Sequence, residues 1–222
     1  MKFKVEDKVR ELGVKIYGVV IEGLDNKTKT EEYENFRKKS VEELLDEFKD
    51  FDIKTDPILE GFNILHDHAN VKRRKNIPAS ENLIRLFQKN QNLYEINKVV
   101  DIYNIISMKT KLALGAHDID KVDGNITLKI TDGTEKFFPI GAEEQKVLNA
   151  GEYSFVDDSN DVICWLDIRQ VDKTKVTEES KNILYLIIGN QENSYQELEN
   201  VANEISDITT KYCGGKVTIL KE

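Results

Sequence analysis

Cysteine and proline are scarce in this 222-residue chain, which holds two of the first and three of the second. Cys164 and Cys213 stand far apart, form no Cys-x-x-Cys redox motif and are too few for a four-ligand zinc site. No window approaches the roughly 20 apolar residues that a membrane helix needs, so no membrane partner is expected. With so little proline and no Ser/Gly-rich run there is no linker, and residues 1–222 are expected to form one domain. The start, Met1-Lys2-Phe3-Lys4-Val5-Glu6-Asp7, turns charged before a secretory apolar core can form, so a reducing cytoplasmic setting is expected. Gly-x-Ser-x-Gly elbows, phosphate-binding glycine loops and zinc-deaminase patterns are all missing, so neither a cofactor nor a metal is expected.

Positive charge is also in deficit. A net charge of −9 excludes binding to nucleic acid by bulk attraction, because such binding rests on Lys and Arg displacing counterions. DNA is therefore not an expected partner, and any RNA contact must be local. The strongest basic run is Lys72-Arg73-Arg74-Lys75, followed by Arg85 and Lys89 on what reads as the next helix. Its simplest reading is a solvated surface loop.

What is present reads as an α/β (α+β) pattern. Val14-Lys15-Ile16-Tyr17-Gly18-Val19-Val20-Ile21 is a β-branched, buried-strand run. Over residues 30–51, Tyr33, Phe36, Val41, Leu44, Leu45 and Phe48 recur at helical spacing, with Ser40 and Glu43 positioned as the capping box of a second helix. Asp56-Pro57 opens a helix running toward Val71. Ala79-Ser80-Glu81 opens another, with Leu83, Ile84, Leu86 and Phe87 expected inward, and residues 96–108 form a third. Beyond Leu114, strand-like runs at 126–130, 137–140, 153–156 and 162–168 alternate with Gly and Asp turns, as in a meandering sheet. A strand at 183–188, a helix at 194–212 and a strand at 216–220 complete the chain.

The three histidines limit acid–base chemistry. His66 and His68 flank Asp67 and point apart on a helix, so they cannot grip one metal and are expected at the surface. His117 sits in Gly115-Ala116-His117-Asp118-Ile119-Asp120 at the helix-to-sheet transition, where a functional loop or a structural hydrogen bond would each account for it. Glu143 follows a strand-like run in Gly141-Ala142-Glu143-Glu144. Asp167 interrupts Val162-Ile163-Cys164-Trp165-Leu166-Asp167-Ile168; in an extended strand it shares a face with Trp165 and Arg169, either to hold a cation beside the indole or to pair with Arg169.

Several motifs, in order, resemble one family. Ile96-Asn97-Lys98-Val99-Val100-Asp101-Ile102-Tyr103-Asn104, then Ala116-His117-Asp118-Ile119-Asp120-Lys121-Val122 with Gly124, Ile140-Gly141-Ala142-Glu143, Val156-Asp157-Asp158 and Val176-Thr177-Glu178-Glu179-Ser180 are similar to the B3/4 tRNA-editing domain of phenylalanyl-tRNA synthetase β subunits. The resemblance covers about residues 72–189. It implies a B3/4-like fold, with N-terminal helices packed on a mixed, largely meandering β-sheet, and tRNA as partner. It also implies hydrolysis of mischarged aminoacyl-tRNA by a stand-alone protein, as in relatives that act in trans, one group of which removes canavanine from arginine tRNA. Alternatives on the same fold are a non-catalytic tRNA-binding or adaptor module and a binder of small amino-acid derivatives.

Carried onto this chain, the family's histidine before its Ala-Phe-Asp falls on Gly115, and His117 takes the aromatic position. The glutamate that reads the tyrosine hydroxyl falls on Glu143, with Glu144 one residue away. The family's glycine-rich stretch falls on Leu166-Asp167-Ile168-Arg169-Gln170-Val171. The implied roles are a backbone oxyanion site at Gly115 and Ala116, orientation or deprotonation of water by His117, and side-chain selection by Glu143, Asp167, Trp165 and Arg169. Lys72, Arg73, Arg74 and Lys75 would face RNA, and an acidic, narrowed pocket would favour a cationic, arginine-like side chain. Asn97, Asp101 and Asn104 are expected to organise the helix–sheet junction.

Overall fold

The structure, a computed structural model, describes residues 2–220; residues 1, 221 and 222 of the expected 1–222 domain lie outside the described residues. In chain order the elements are β1 (Phe3–Val5), α1 (Asp7–Glu11), β2 (Lys15–Glu22), α2 (Glu31–Phe48), α3 (Pro57–His68), α4 (Ala79–Asn90), α5 (Lys98–Thr110), β3 (Ala113–Asp118), β4 (Ile126–Ile130), β5 (Tyr153–Asp157), β6 (Val162–Trp165), β7 (Arg169–Gln170), β8 (Asn182–Gly189), α6 (Tyr195–Cys213) and β9 (Lys216–Leu220). They build an antiparallel sheet in the order β3-β8-β2-β9 and a mixed sheet in the order β1-β4-β5-β6-β7, whose one parallel pair is β1 with β4.

The four-stranded sheet is the middle layer. Along β8, Ile183, Tyr185 and Ile187 pack with Val99, Ile102 and Ile106 of α5 and with Leu198 and Ile205 of α6. Leu184, Leu186 and Ile188 face the other way, against Ile126, Leu128, Phe155 and Ile163 of the five-stranded sheet. A strand covered on both faces needs no polar alternation, which is why β8 reads as an unbroken apolar run. A third apolar cluster, with Leu44, Phe48, Leu59, Ile84, Phe87, Ile105 and Met108, joins α2 to α5.

Helix ends follow their capping chemistry. Asp56 accepts from the Ile58 and Leu59 N–H groups ahead of Pro57, Asn97 caps α5 by accepting from Val100, and Ser194 with Glu197 forms a full capping box on α6. Ser40 starts no second helix. Thr30 caps α2, which runs unbroken past Ser40, a small side chain buried where the helix packs, and Glu43 instead pairs with Lys109.

The structure corrects four further expectations. Residues 137–140 form no strand but two isolated bridges, Phe137 with Lys146 and Pro139 with Val171, since Pro139 has no N–H to extend a ladder. The run 162–168 stops at Trp165, because Leu166 takes the left-handed conformation (φ 52°) and turns the chain into β7. On α4, Ile84 and Phe87 are buried, while Leu86 is 47% exposed, since it points away from the α2–α5 cluster. Of residues 115–120, read as a helix-to-sheet transition where a functional loop is one account, 115–118 lie in the fully buried strand β3.

Candidate active site

A cavity of about 350 Å³ opens where α4, α5, β3 and the β6–β7 turn converge. Its apolar walls include Ile77, Leu83, Leu86, Ile140, Ile168 and Leu186, and its uncharged polar groups include Asn82, Tyr103, Asn104 and Gln170. Gly115, His117, Asp167 and Arg169 also line it. Sequence separation between these groups is large, and the sheet brings them together.

Strand alternation explains the contribution of β3. Leu114 and Ala116 carry their side chains into the helix-facing cluster, so Gly115 and His117 turn toward the five-stranded sheet and the cavity. Asp118 donates its N–H to the Thr174 carbonyl on the outer edge of β3, so Ala116 also directs its N–H to that edge and Gly115 directs its own to β8. A Cβ on Gly115 would lie 2.4 Å from Gln170 Nε2: the glycine leaves room for that carboxamide, which also bonds to the Tyr103 hydroxyl. Burial pushes the Tyr103 phenol up to about 12, opposed by that bond.

His117 is fully buried. Its Nδ1 is 2.9 Å from Thr174 Oγ1 and its Nε2 has no partner. Burial lowers its pKa to about 4, so the ring is neutral at physiological pH. Cys164, also lining the cavity, is pushed the other way by burial and stays a thiol.

Asp167 overturns the expectation of a free carboxylate. The turn at Leu166 swings it inward, where Oδ1 lies 2.5 Å from His66 Nε2 and accepts from Tyr153 Oη at 3.0 Å; Oδ2 faces the Ala79 N–H at 3.3 Å. It does not pair with Arg169, since Oδ1 is taken by His66 and Tyr153 and Oδ2 faces the Ala79 N–H. Burial raises the carboxyl pKa, but the His66 charge and hydrogen bond outweigh it and leave it lowered. For His66 burial likewise opposes charge, and Asp167 outweighs it, so the imidazole is raised. Thus His66 is not a surface residue: it falls on the stripe of Leu59, Phe62 and Leu65 of α3 and its C-cap Ala69, a pattern that the sequence already displays. Its Nδ1 is buried without a well-placed acceptor, with the Asn76 main chain near enough to favour the protonated ring. His68 is exposed.

Two other expected selectors lie outside the cavity. Trp165 packs at a tilt against Phe137 and donates to Glu152 Oε2 at 2.7 Å, and Glu143 is exposed on the turn after Ile140. Leu166 is buried in the inter-sheet core rather than in a cavity wall. Asn97 and Asp101 organise the junction: Asn97 also accepts from Asn26, while buried Asp101 takes Tyr33 Oη, Arg37 Nε and the Ile96 N–H. Asn104 faces the cavity instead.

The basic run forms a turn between α3 and α4. Arg73 is tied to Asp67 and Glu60, whereas Lys72, Arg74 and Lys75 are exposed. Arg73, Arg74 and Arg85 flank a cleft of about 340 Å³ that shares Ile77 with the main cavity. Elsewhere, Asp123, Asp157 and Asp161 converge as metal ligands would, but the Lys173 ammonium sits among them at 2.7, 3.0 and 2.7 Å and supplies the countercharge.

Fold and site thus define an α+β domain in which one sheet, layered between helices and a second sheet, carries a cavity at its edge strand. Residues 69–212 match the family model of the B3/4 domain, and the chain belongs to that family. It is 32% identical over 113 residues to the phenylalanine–tRNA ligase β subunit of Methanococcus vannielii, covering 42% of this chain and 20% of that one. It is 26% identical over 143 residues to the β subunit of Malacoplasma penetrans, covering 64% and 18%. The chain therefore spans about one fifth of the length of these curated relatives. An N-terminal fragment of the phenylalanyl-tRNA synthetase β subunit from Pyrococcus horikoshii superposes with a TM-score of 0.52 over 97% of this chain and 50% of that fragment, at 16% identity, a likeness of fold. Among the described residues no helix is long and apolar enough to cross a membrane.

Proposed function

We propose that this domain binds the aminoacyl end of tRNA and hydrolyses mischarged esters, acting in trans. The observation that carries this reading is the cavity: a ligand-sized, mostly apolar recess with an unpartnered imidazole nitrogen at its floor and a basic cleft at its side. An aminoacyl ester is already activated, so catalysis reduces to holding it, positioning water and stabilising the oxyanion. Water adds to the ester carbonyl, the oxyanion collapses, and the ribose oxygen leaves with a proton.

A histidine with a pKa near 4 is a weak base at neutral pH, so His117 serves by orienting the water through Nε2, with Thr174 fixing the ring. Because His117 has no exposure, the cavity lining must shift to bring the ester to its Nε2. On the edge of β3, the Ala116 N–H is the better oxyanion donor, since that of Gly115 faces the β8 ladder. Lys72, Arg74 and Lys75 would meet backbone phosphates, while Arg73 shapes their turn.

Incubation with a panel of mischarged tRNAs tests the reading. At least one ester should disappear faster than in buffer, and His117→Ala should slow that loss by about 100-fold, the cost of leaving the attacking water out of position. A flat panel sinks hydrolysis. The buried state of His117 favours one rival, a tRNA-binding module without hydrolysis, which would bind the same tRNAs and leave every ester intact.

A further inference from the structure

Charge balance within the cavity identifies what it accepts. Asp167 and Arg169 are the only lining side chains that carry charge at neutral pH, since His117, Cys164 and Tyr103 are all held neutral. Asp167 lies 2.5 Å from His66, whose raised pKa favours the imidazolium that balances the carboxylate, and it also accepts from Tyr153 and from the Ala79 N–H at the start of α4. Nothing cancels Arg169: it is exposed on β7, and its guanidinium has no hydrogen bond or ion pair among the described residues. In a chain with nine excess negative charges, an arginine left single at a cavity mouth is an available oxyanion receptor, and its planar fork matches phosphate or carboxylate. The same guanidinium repels a second cation brought within the screening length of about 8 Å. This reverses the acidic, arginine-selecting pocket that the sequence implied.

We propose that the cavity rejects cationic side chains and seats an uncharged, mainly apolar or amide-bearing aminoacyl group, while Arg169 at its mouth holds the adjoining nucleotide phosphate. The assignment rests on the reading above in that it places an aminoacyl nucleotide here. Ile77, Leu83, Leu86 and Ile140 meet the side chain, and Asn82 and Asn104 offer amide donors and acceptors to polar uncharged ones.

Binding alone tests it, independently of hydrolysis. The probes are non-hydrolysable 3′-amide-linked aminoacyl adenosines carrying norleucyl, lysyl, citrullinyl or arginyl groups, each with and without a 5′-phosphate. Titration calorimetry should show norleucyl and citrullinyl probes binding about tenfold tighter than their cationic counterparts, and the phosphate adding about tenfold. Arg169→Met, at an exposed position with no partner to lose, should fold normally, collapse both ratios toward one and bind lysyl probes better. Arg169→Lys should keep the cation rejection and lose most of the phosphate gain, since an ammonium lacks the fork. Equal or tighter binding of arginyl and lysyl probes, ratios that survive Arg169→Met, or no binding by any probe would each overturn the proposal. Free norleucine offers a carboxylate without a nucleotide; if it bound as tightly as the phosphorylated norleucyl probe, the phosphate assignment would fall. The two readings separate cleanly: charge-ordered binding with no ester hydrolysed removes the deacylase alone, and hydrolysis indifferent to charge removes this inference alone.

Discussion

His117 and His66 share one interior, and their surroundings drive them in opposite directions. Burial holds His117 near pKa 4, whereas an unfolded chain protonates it near 6.5, so between these values the unfolded state binds more protons and stability falls as pH drops. Over the full interval the loss is on the order of 3 kcal/mol. His66 is raised beside Asp167, so its contribution is fully present below the unfolded value and is lost as pH rises through the folded one. The lowered Asp167 carboxyl adds stability above its unfolded value that disappears only as pH falls through the folded one. The expected profile is a maximum near pH 6.5 that declines on both sides. Urea midpoints from about pH 4.5 to about 8.5 check it: His117→Gln should flatten the acid limb and His66→Gln the alkaline limb. An acid limb unchanged in His117→Gln would show that its burial does not hold in solution.

At the scale of elements, the edge strand and the β6–β7 turn are coupled through one missing side chain. Gly115→Ala puts a Cβ 2.4 Å from Gln170 Nε2, and since the backbone there is ordinary strand, the strain falls on the carboxamide. The amide moves and loses Tyr103, which predicts a cost of about 1 kcal/mol in urea unfolding. Gln170→Ala should remove most of the penalty of Gly115→Ala, so the double mutant falls short of the sum of the singles; strict additivity would refute the coupling. What the sequence made legible follows the same division between local and distant causes. The start of α3 is readable because Asp56-Pro57 is local chemistry, and α5 because its Ile and Val recur at helical spacing. The strand β3 is not, since Ala113-Leu114-Gly115-Ala116-His117-Asp118 shows neither alternation nor the unbroken apolar run that marks β8. Residues 162–168 imply a straight strand, and with it Asp167 beside Trp165; the left-handed Leu166 reverses that side chain, and its partner His66 lies 101 residues away. The family motifs located the cavity at Gly115 and His117, but the state of Asp167 depends on α3, which they do not cover.

For the molecule as a whole, a net charge of −9 and a proposed polyanionic partner are compatible only if the contact is confined. The α3–α4 turn supplies such confinement, with Lys72, Arg74 and Lys75 exposed while Arg73 is spent on Asp67 and Glu60. Each phosphate neutralised should release condensed counterions and steepen the fall of log K with log salt by about 0.7 to 0.9. Arg74→Ala and Lys75→Ala should therefore each weaken tRNA binding and make the slope shallower by nearly one unit, equally for different tRNAs, since phosphates carry no sequence information. Arg73→Ala differs in kind: its carboxylate partners already occupy its guanidinium, so its removal should loosen the turn and leave two acidic groups facing the RNA. It should then weaken binding without the loss of slope that follows from removing a phosphate contact, while a charge change on the opposite side of the fold, such as Lys211→Ala on α6, should leave both affinity and slope nearly unchanged. Filter binding at several salt concentrations separates these outcomes, and a slope that stays the same in Arg74→Ala and Lys75→Ala would move the RNA contact away from this turn.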